Sequence, residues 1–166
     1  MNVLTLAALG PGSSPYKLLL VIHIIAVATA FGVPLAYGAI SRASRERPGA
    51  DGRALALINV QLQGRAALPA LIIAAVAGLG LVGLSNEVWS FSDTWVSASF
   101  AVVIALIVVS AYLLLPALKR SAEASGTEDP KGEAGEKAKA QTAMATGLLH
   151  LGLVVTIVLM VWKPGA

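Results

Sequence analysis

Four stretches of the chain, residues 16–40, 66–84, 95–118 and 142–162, are apolar almost without interruption. A bilayer core of about 30 Å is crossed by about 20 helical residues, so each stretch is long enough to span it. Nothing else in the sequence limits the fold as strongly. Only 13% of the residues are charged and 57% are hydrophobic, against about 25% charged in an ordinary soluble domain. Such a chain cannot clothe its surface in polar groups, and lipid is its natural solvent. A membrane β-barrel would need at least about eight alternating segments, and these runs do not alternate. The expected fold is all-α: a four-helix transmembrane bundle over residues 16–166, preceded by a short uncharged tail over 1–15. The tail has no basic n-region and only a short apolar stretch, which is not the pattern of a signal peptide.

Charge sets the expected topology. Arg42, Arg45, Arg47, Arg53 and Arg65 fall in or beside the first loop, 41–65. Lys119, Arg120, Lys131, Lys137 and Lys139 fall in the third, 119–141. Ten of the twelve basic residues therefore share one side, and Lys17 and Lys163 mark the other. Short cytoplasmic loops are enriched in Lys and Arg. Both termini and the second loop are thus expected outside, in a bacterial inner membrane. Trp89, Trp95 and Trp162 all fall at outer ends, where indole rings favour the interface. The net charge of +3 is explained by topology and by attraction to anionic lipid, not by nucleic-acid binding. The third loop mixes both signs with Gly, Ser and Pro, as a solvated linker does, with helix expected near 136–141.

Two motifs have ordinary explanations. The run GLGLVG at 78–83 fits G-x-G-x-x-G, but a dinucleotide site needs a strand before it and a helix opening at it. Here it ends a membrane span. Ala70, Ala74 and Gly78 instead form a small-xxx-small row suited to close helix approach, either within the bundle or toward other membrane subunits or a second copy. Gly152 and Thr156 make a shorter row. Pro34, Pro69 and Pro116 lie inside spans, and each removes one helical hydrogen bond and kinks its helix. The segment RALALINVQLQG before the second span reads as an amphipathic extension.

With no cysteine, disulfides, thiolate metal sites and c-type haem attachment are excluded. The chemistry must then come from two histidines, His23 and His150, both inside spans. Ionisable residues within membranes usually face the bundle interior and often carry function. No span holds a buried Asp, Glu or Lys that would form a proton relay. On the first helix Tyr16, Leu19, Leu20, His23, Ala26, Val27 and Ala30 share a stripe. On the fourth, Ala143, Thr146, Gly147, His150, Leu153, Val154 and Ile157 share another. First and last helices of a short-looped bundle are commonly neighbours, so two imidazoles could ligate one haem b iron. Depth opposes a shared site. His23 lies six residues from Lys17, about 9 Å, and His150 lies thirteen from Lys163, about 20 Å. Three alternatives stay open at this point: one histidine ligating haem alone, both histidines merely hydrogen-bonded to neighbouring helices, and copper binding. For copper, the only thioethers are Met1, Met144 and Met160, none on the His150 stripe.

The run YKLLLVIHIIAVATAFG, PALIIAAVAGLGLVG with the following Trp95, LLLPALKR, and the terminal VLMVWKPG together resemble a bacterial family of predicted integral membrane proteins of unknown function (DUF2269-type). The resemblance spans most of residues 16–164, apart from the basic loops. It is carried by the ordered set His23, Gly80, Trp95, Pro116 and Lys163–Pro164. The first helix also resembles that of HemJ-type protoporphyrinogen oxidases and CopD-like copper proteins, and the former likeness implies a haem role for His23. The tryptophan-and-lysine motif of the HemJ group has no counterpart in a later span, and the methionine and histidine richness of copper importers is missing. Two functions follow as expectations: a haem-b-associated redox or haem-handling protein with His23 and His150 as ligands, or a cofactor-free accessory subunit of a larger membrane complex. Copper transport is the third.

Overall fold

A computed structural model describes residues 10–165; most of the tail expected over 1–15 lies outside them. Four long helices make up the molecule: α1 (Ser14–Arg45), α2 (Ala50–Gly83), α3 (Thr94–Ser125) and α4 (Glu133–Trp162). Each is long and apolar enough to cross a membrane. Among the described residues there are no strands. The helices outlast the apolar runs at their basic ends. Most of the first loop expected over 41–65 is helix, leaving only residues 46–49 as the connection, and the third loop shrinks to 126–132. The reason is composition: RALALINVQLQ is rich in Ala, Leu, Arg and Gln, which all favour helix, and water at the interface does not oppose it.

The helices pair along the chain. α1 lies against α2 over the half nearer the chain ends, and α3 lies against α4. The basic halves of α2 and α3 cross each other, while α1 and α4 scarcely touch. This departs from the expectation that first and last helices are neighbours. Its cause is visible in the row Ala70–Ala74–Gly78. Ala70 and Ala74 are buried and Gly78 half-buried, so small side chains draw α1 onto α2 within one chain. The core joins Phe31, Leu71, Leu106, Leu114, Leu118 and Leu149 between the two pairs. Gly152 packs against Leu106 without room for a side chain. The buried face of α4 is Thr142, Ala145, Leu149, Gly152 and Thr156, one residue round from the stripe expected to carry His150.

All three intramembrane prolines leave a mark. Pro34 lies in a tight 3-10 turn, Val33–Ala36. Pro69 and Pro116 each follow a wider π segment, Gln63–Ala67 and Val109–Leu114. There the Leu68 and Leu115 N–H groups reach back five residues, to the Gln63 and Ser110 carbonyls. A proline supplies no N–H, and the local rewinding lets neighbouring amides bond around it.

Candidate functional site

The half of the bundle bearing the tryptophans contains a cleft of about 200 Å³ between α1, α2, α3 and the end of α4. His23 is on its wall. The His23 Nδ1–H donates to the Ala74 carbonyl at 2.8 Å. A carbonyl can only accept, so this bond fixes the tautomer and leaves Nε2 with its lone pair. Gly78 borders the ring: a Cβ there would stand in ordinary contact, 3.5 Å from His23 Cε1 and 3.7 Å from Phe100 Cζ, so a small residue but not a large one leaves the ring its place. The small row thus seats an imidazole as well as a helix. Among the described residues Nε2 has no hydrogen-bond partner.

The mouth is built by the connection between α2 and α3. The buried Ser85 hydroxyl donates to the Val82 carbonyl at 2.8 Å and accepts from the Trp89 N–H at 3.1 Å. This closes a turn that passes through left-handed Asn86 and Glu87 and brings Trp89 over the cleft. Trp89 meets Trp95 edge to face at 5.3 Å between centroids. Lys163 Nζ sits 3.8 Å above the Trp89 ring and 5.6 Å from that of Trp95. Lys163 reaches there because it ends α4 in the left-handed conformation, φ 44°. Tyr16 and Met160 complete the lining. The site is apolar and aromatic, with one imidazole along its side and the Lys163 amine at its rim.

His150 is not among the residues lining this cleft. Its Nδ1–H donates to the Thr146 carbonyl of its own helix at 2.9 Å, and its Nε2 is buried without a partner among the described residues. It lies ten residues before Met160 on α4, about 15 Å along the helix. The cleft therefore joins His23 with Met160 and Lys163, not with the second histidine.

The basic half is organised by polar side chains that the apolar pattern of the sequence does not reveal. The Tyr37 hydroxyl donates to Gln63 Oε1 at 2.9 Å, and Gln63 Nε2 donates to the Ser110 hydroxyl. Asn59 Nδ2 donates to the Tyr37 carbonyl at 3.2 Å and to Ser41 Oγ at 3.0 Å. All but Ser41 are fully buried. Gln63 opens one π segment, Ser110 lies in the other, and Tyr37 follows the 3-10 turn. The three proline irregularities are therefore tied together by one chain of hydrogen bonds. The only hint in the sequence was Asn59 and Gln63 four residues apart, on one face of an extension that reads as interfacial.

The family described as "Predicted integral membrane protein (DUF2269)" matches residues 17–164. The chain belongs to this family. Neither the curated proteins nor the solved structures yield a match. The DUF2269 protein is thus a multi-pass integral membrane protein in contact with the lipid bilayer, and its family description assigns it no chemistry.

Proposed function

We propose that this DUF2269 protein holds haem b in the cleft on its tryptophan side, with His23 Nε2 as the iron ligand. On this reading it is a small redox or haem-handling protein of the bacterial cytoplasmic membrane, with its basic end inside. The supporting observation is the His23–Ala74 bond. Metal-ligating histidines almost always donate their other ring N–H to a carbonyl or carboxylate, which orients the ring and raises its basicity. The surroundings suit the group. The walls are apolar and aromatic and Lys163 supplies a cation at the rim; a macrocycle is larger than the cleft, so it would be held at the His23 edge and would project between the helices toward lipid. When bound, haem b supplies one-electron chemistry at iron. The chain's own part is to hold the ring, exclude water with Trp89, Trp95 and Phe100, and pair charge at the rim. His150, the second ligand expected from the sequence, carries the same kind of Nδ1 bond but does not line this cleft, so the reading rests on His23. Copper is the second reading, because Met160 places one thioether in the same cleft, and thioether with imidazole suits Cu(I).

The test is the absorption spectrum of the protein purified from haem-replete cells. A Soret band is expected, lost in His23→Ala and kept in His150→Ala. A preparation with no Soret band, even after haem addition, overturns the haem reading. Copper that co-purifies and is lost in His23→Ala or Met160→Leu supports the second reading. A cofactor-free protein that migrates with other subunits on a native gel supports the accessory-subunit alternative.

A further inference from the structure

A second and larger cavity, about 710 Å³, opens at the basic end between α1 and α4. These are the two helices that scarcely touch. Its lining includes the cations Arg42, Arg45, Lys131 and Lys139 and the carboxylates Glu46 and Glu136. The carboxylates are already engaged: Glu46 pairs with Arg42 at 3.2 Å, and Glu136 with both Arg45 and Lys139. Four cations against two carboxylates leave the lining with two positive charges in excess. Lys131 has no carboxylate partner among the described residues. Deeper in, Thr142 is 8% exposed and lines the cavity with Thr146 one turn further. A buried helical threonine ordinarily donates to the carbonyl four residues back, as Thr156 does to Gly152. Thr142 and Thr146 do not, and both hydroxyls are buried with no partner among the described residues. Buried polar groups left unpaired cost free energy, and such groups call for a ligand or ordered water.

We propose that this cavity binds a phosphate group, with Lys131, which has no carboxylate partner among the described residues, and Lys139, which shares Glu136 with Arg45, supplying charge and the Thr142 and Thr146 hydroxyls donating hydrogen bonds. The lysines are exposed and the two unpaired hydroxyls are closed off in the wall, so an oxyanion seated on the lysines would meet the hydroxyls as the Thr142 and Thr146 side chains turn toward it. The cavity lies between two membrane helices at their basic ends, and basic pockets between membrane helices are where anionic headgroups lodge. The same chemistry would serve a soluble phosphate. The site is independent of the cleft around His23 and of what that cleft holds.

The full chain is reconstituted in nanodiscs of phosphatidylcholine with a minor fraction of phosphatidylglycerol, and the lipids it retains are counted by native mass spectrometry. Preferential retention of phosphatidylglycerol is expected. Lys131→Gln/Lys139→Gln should weaken it about thirtyfold, from about one lysine's worth of surface attraction each. Both side chains are exposed, so the fold is unaffected. Thr142→Val/Thr146→Val should weaken retention about tenfold, and Thr142→Ser/Thr146→Ser should restore it. In pure phosphatidylcholine discs, a rise in unfolding temperature with inorganic phosphate, absent in the lysine variant, assigns the site to a soluble phosphate instead. Equal retention of both lipids together with no response to phosphate overturns the proposal. So does a serine pair that loses as much as the valine pair, because the hydroxyls would then not be the donors.

Discussion

The two ends of the bundle solve opposite problems. At the tryptophan end the helices are regular, the contacts are apolar, and one polar side chain, His23, borrows a carbonyl from the neighbouring helix. At the basic end every helix but α4 is irregular, and Tyr37, Asn59, Gln63 and Ser110 form a buried network in place of regular winding. Regular helices can part slightly around a cleft without losing backbone bonds. Irregular ones need side-chain ties, because nothing else fixes their relative rotation. Stability should therefore reside at the basic end and ligand chemistry beside the tryptophans.

The largest test of that division is Gln63→Leu. It removes the group that joins Tyr37 to Ser110 and leaves two buried hydroxyls unpaired, at a cost of about 2–3 kcal/mol. The unfolding temperature in detergent should fall well below wild type, with any ligand spectrum of the surviving folded protein unchanged. Gly78→Leu reverses the pattern. Crowding the His23 ring costs about 1–3 kcal/mol and abolishes cofactor retention, whereas Gly78→Ala, whose Cβ stands 3.5 Å from the ring, should be silent in both assays. If Gly78→Leu keeps its ligand, the cleft is not where the ligand sits. Trp89→Ala comes next. It removes the ring beneath Lys163, an interaction of about 0.5–2 kcal/mol, and exposes Trp95. Tryptophan emission should shift to the red and quench more readily with iodide, while the helical circular dichroism stays as it was.

The sequence made some of this legible and hid the rest for physical reasons. Apolar run length fixes the number of spans because lipid admits few other solutions. Charge and tryptophan separated the two ends for the same reason. Which helices pair was not legible: a small-residue row says that something approaches closely, but not what. Ala70, Ala74 and Gly78 turned out to receive α1 and the His23 ring. His23 was singled out because an imidazole is conspicuous among aliphatic residues. Its companions in the cleft were not, because Met160, Phe100 and Trp95 look like any other apolar residues in a span. Gln63 and Asn59 escaped because they lie where the apolar signal fades, though the helix continues through them.

Lys163 carries a consequence of its own. It stops α4 in a backbone conformation that costs a residue with a side chain about 1–2 kcal/mol, and it covers Trp89 with a cation worth about 0.5–2 kcal/mol. The two magnitudes nearly cancel. Lys163→Gly would relieve the first and forfeit the second, so its melting temperature should match or slightly exceed that of wild type, the smallest shift of the series. Its bound ligand should nonetheless leave faster. The residue that would be easiest to improve for robustness is thus one that robustness alone would discard. If the cleft holds a group as proposed, Lys163 trades a little stability for a lid over it.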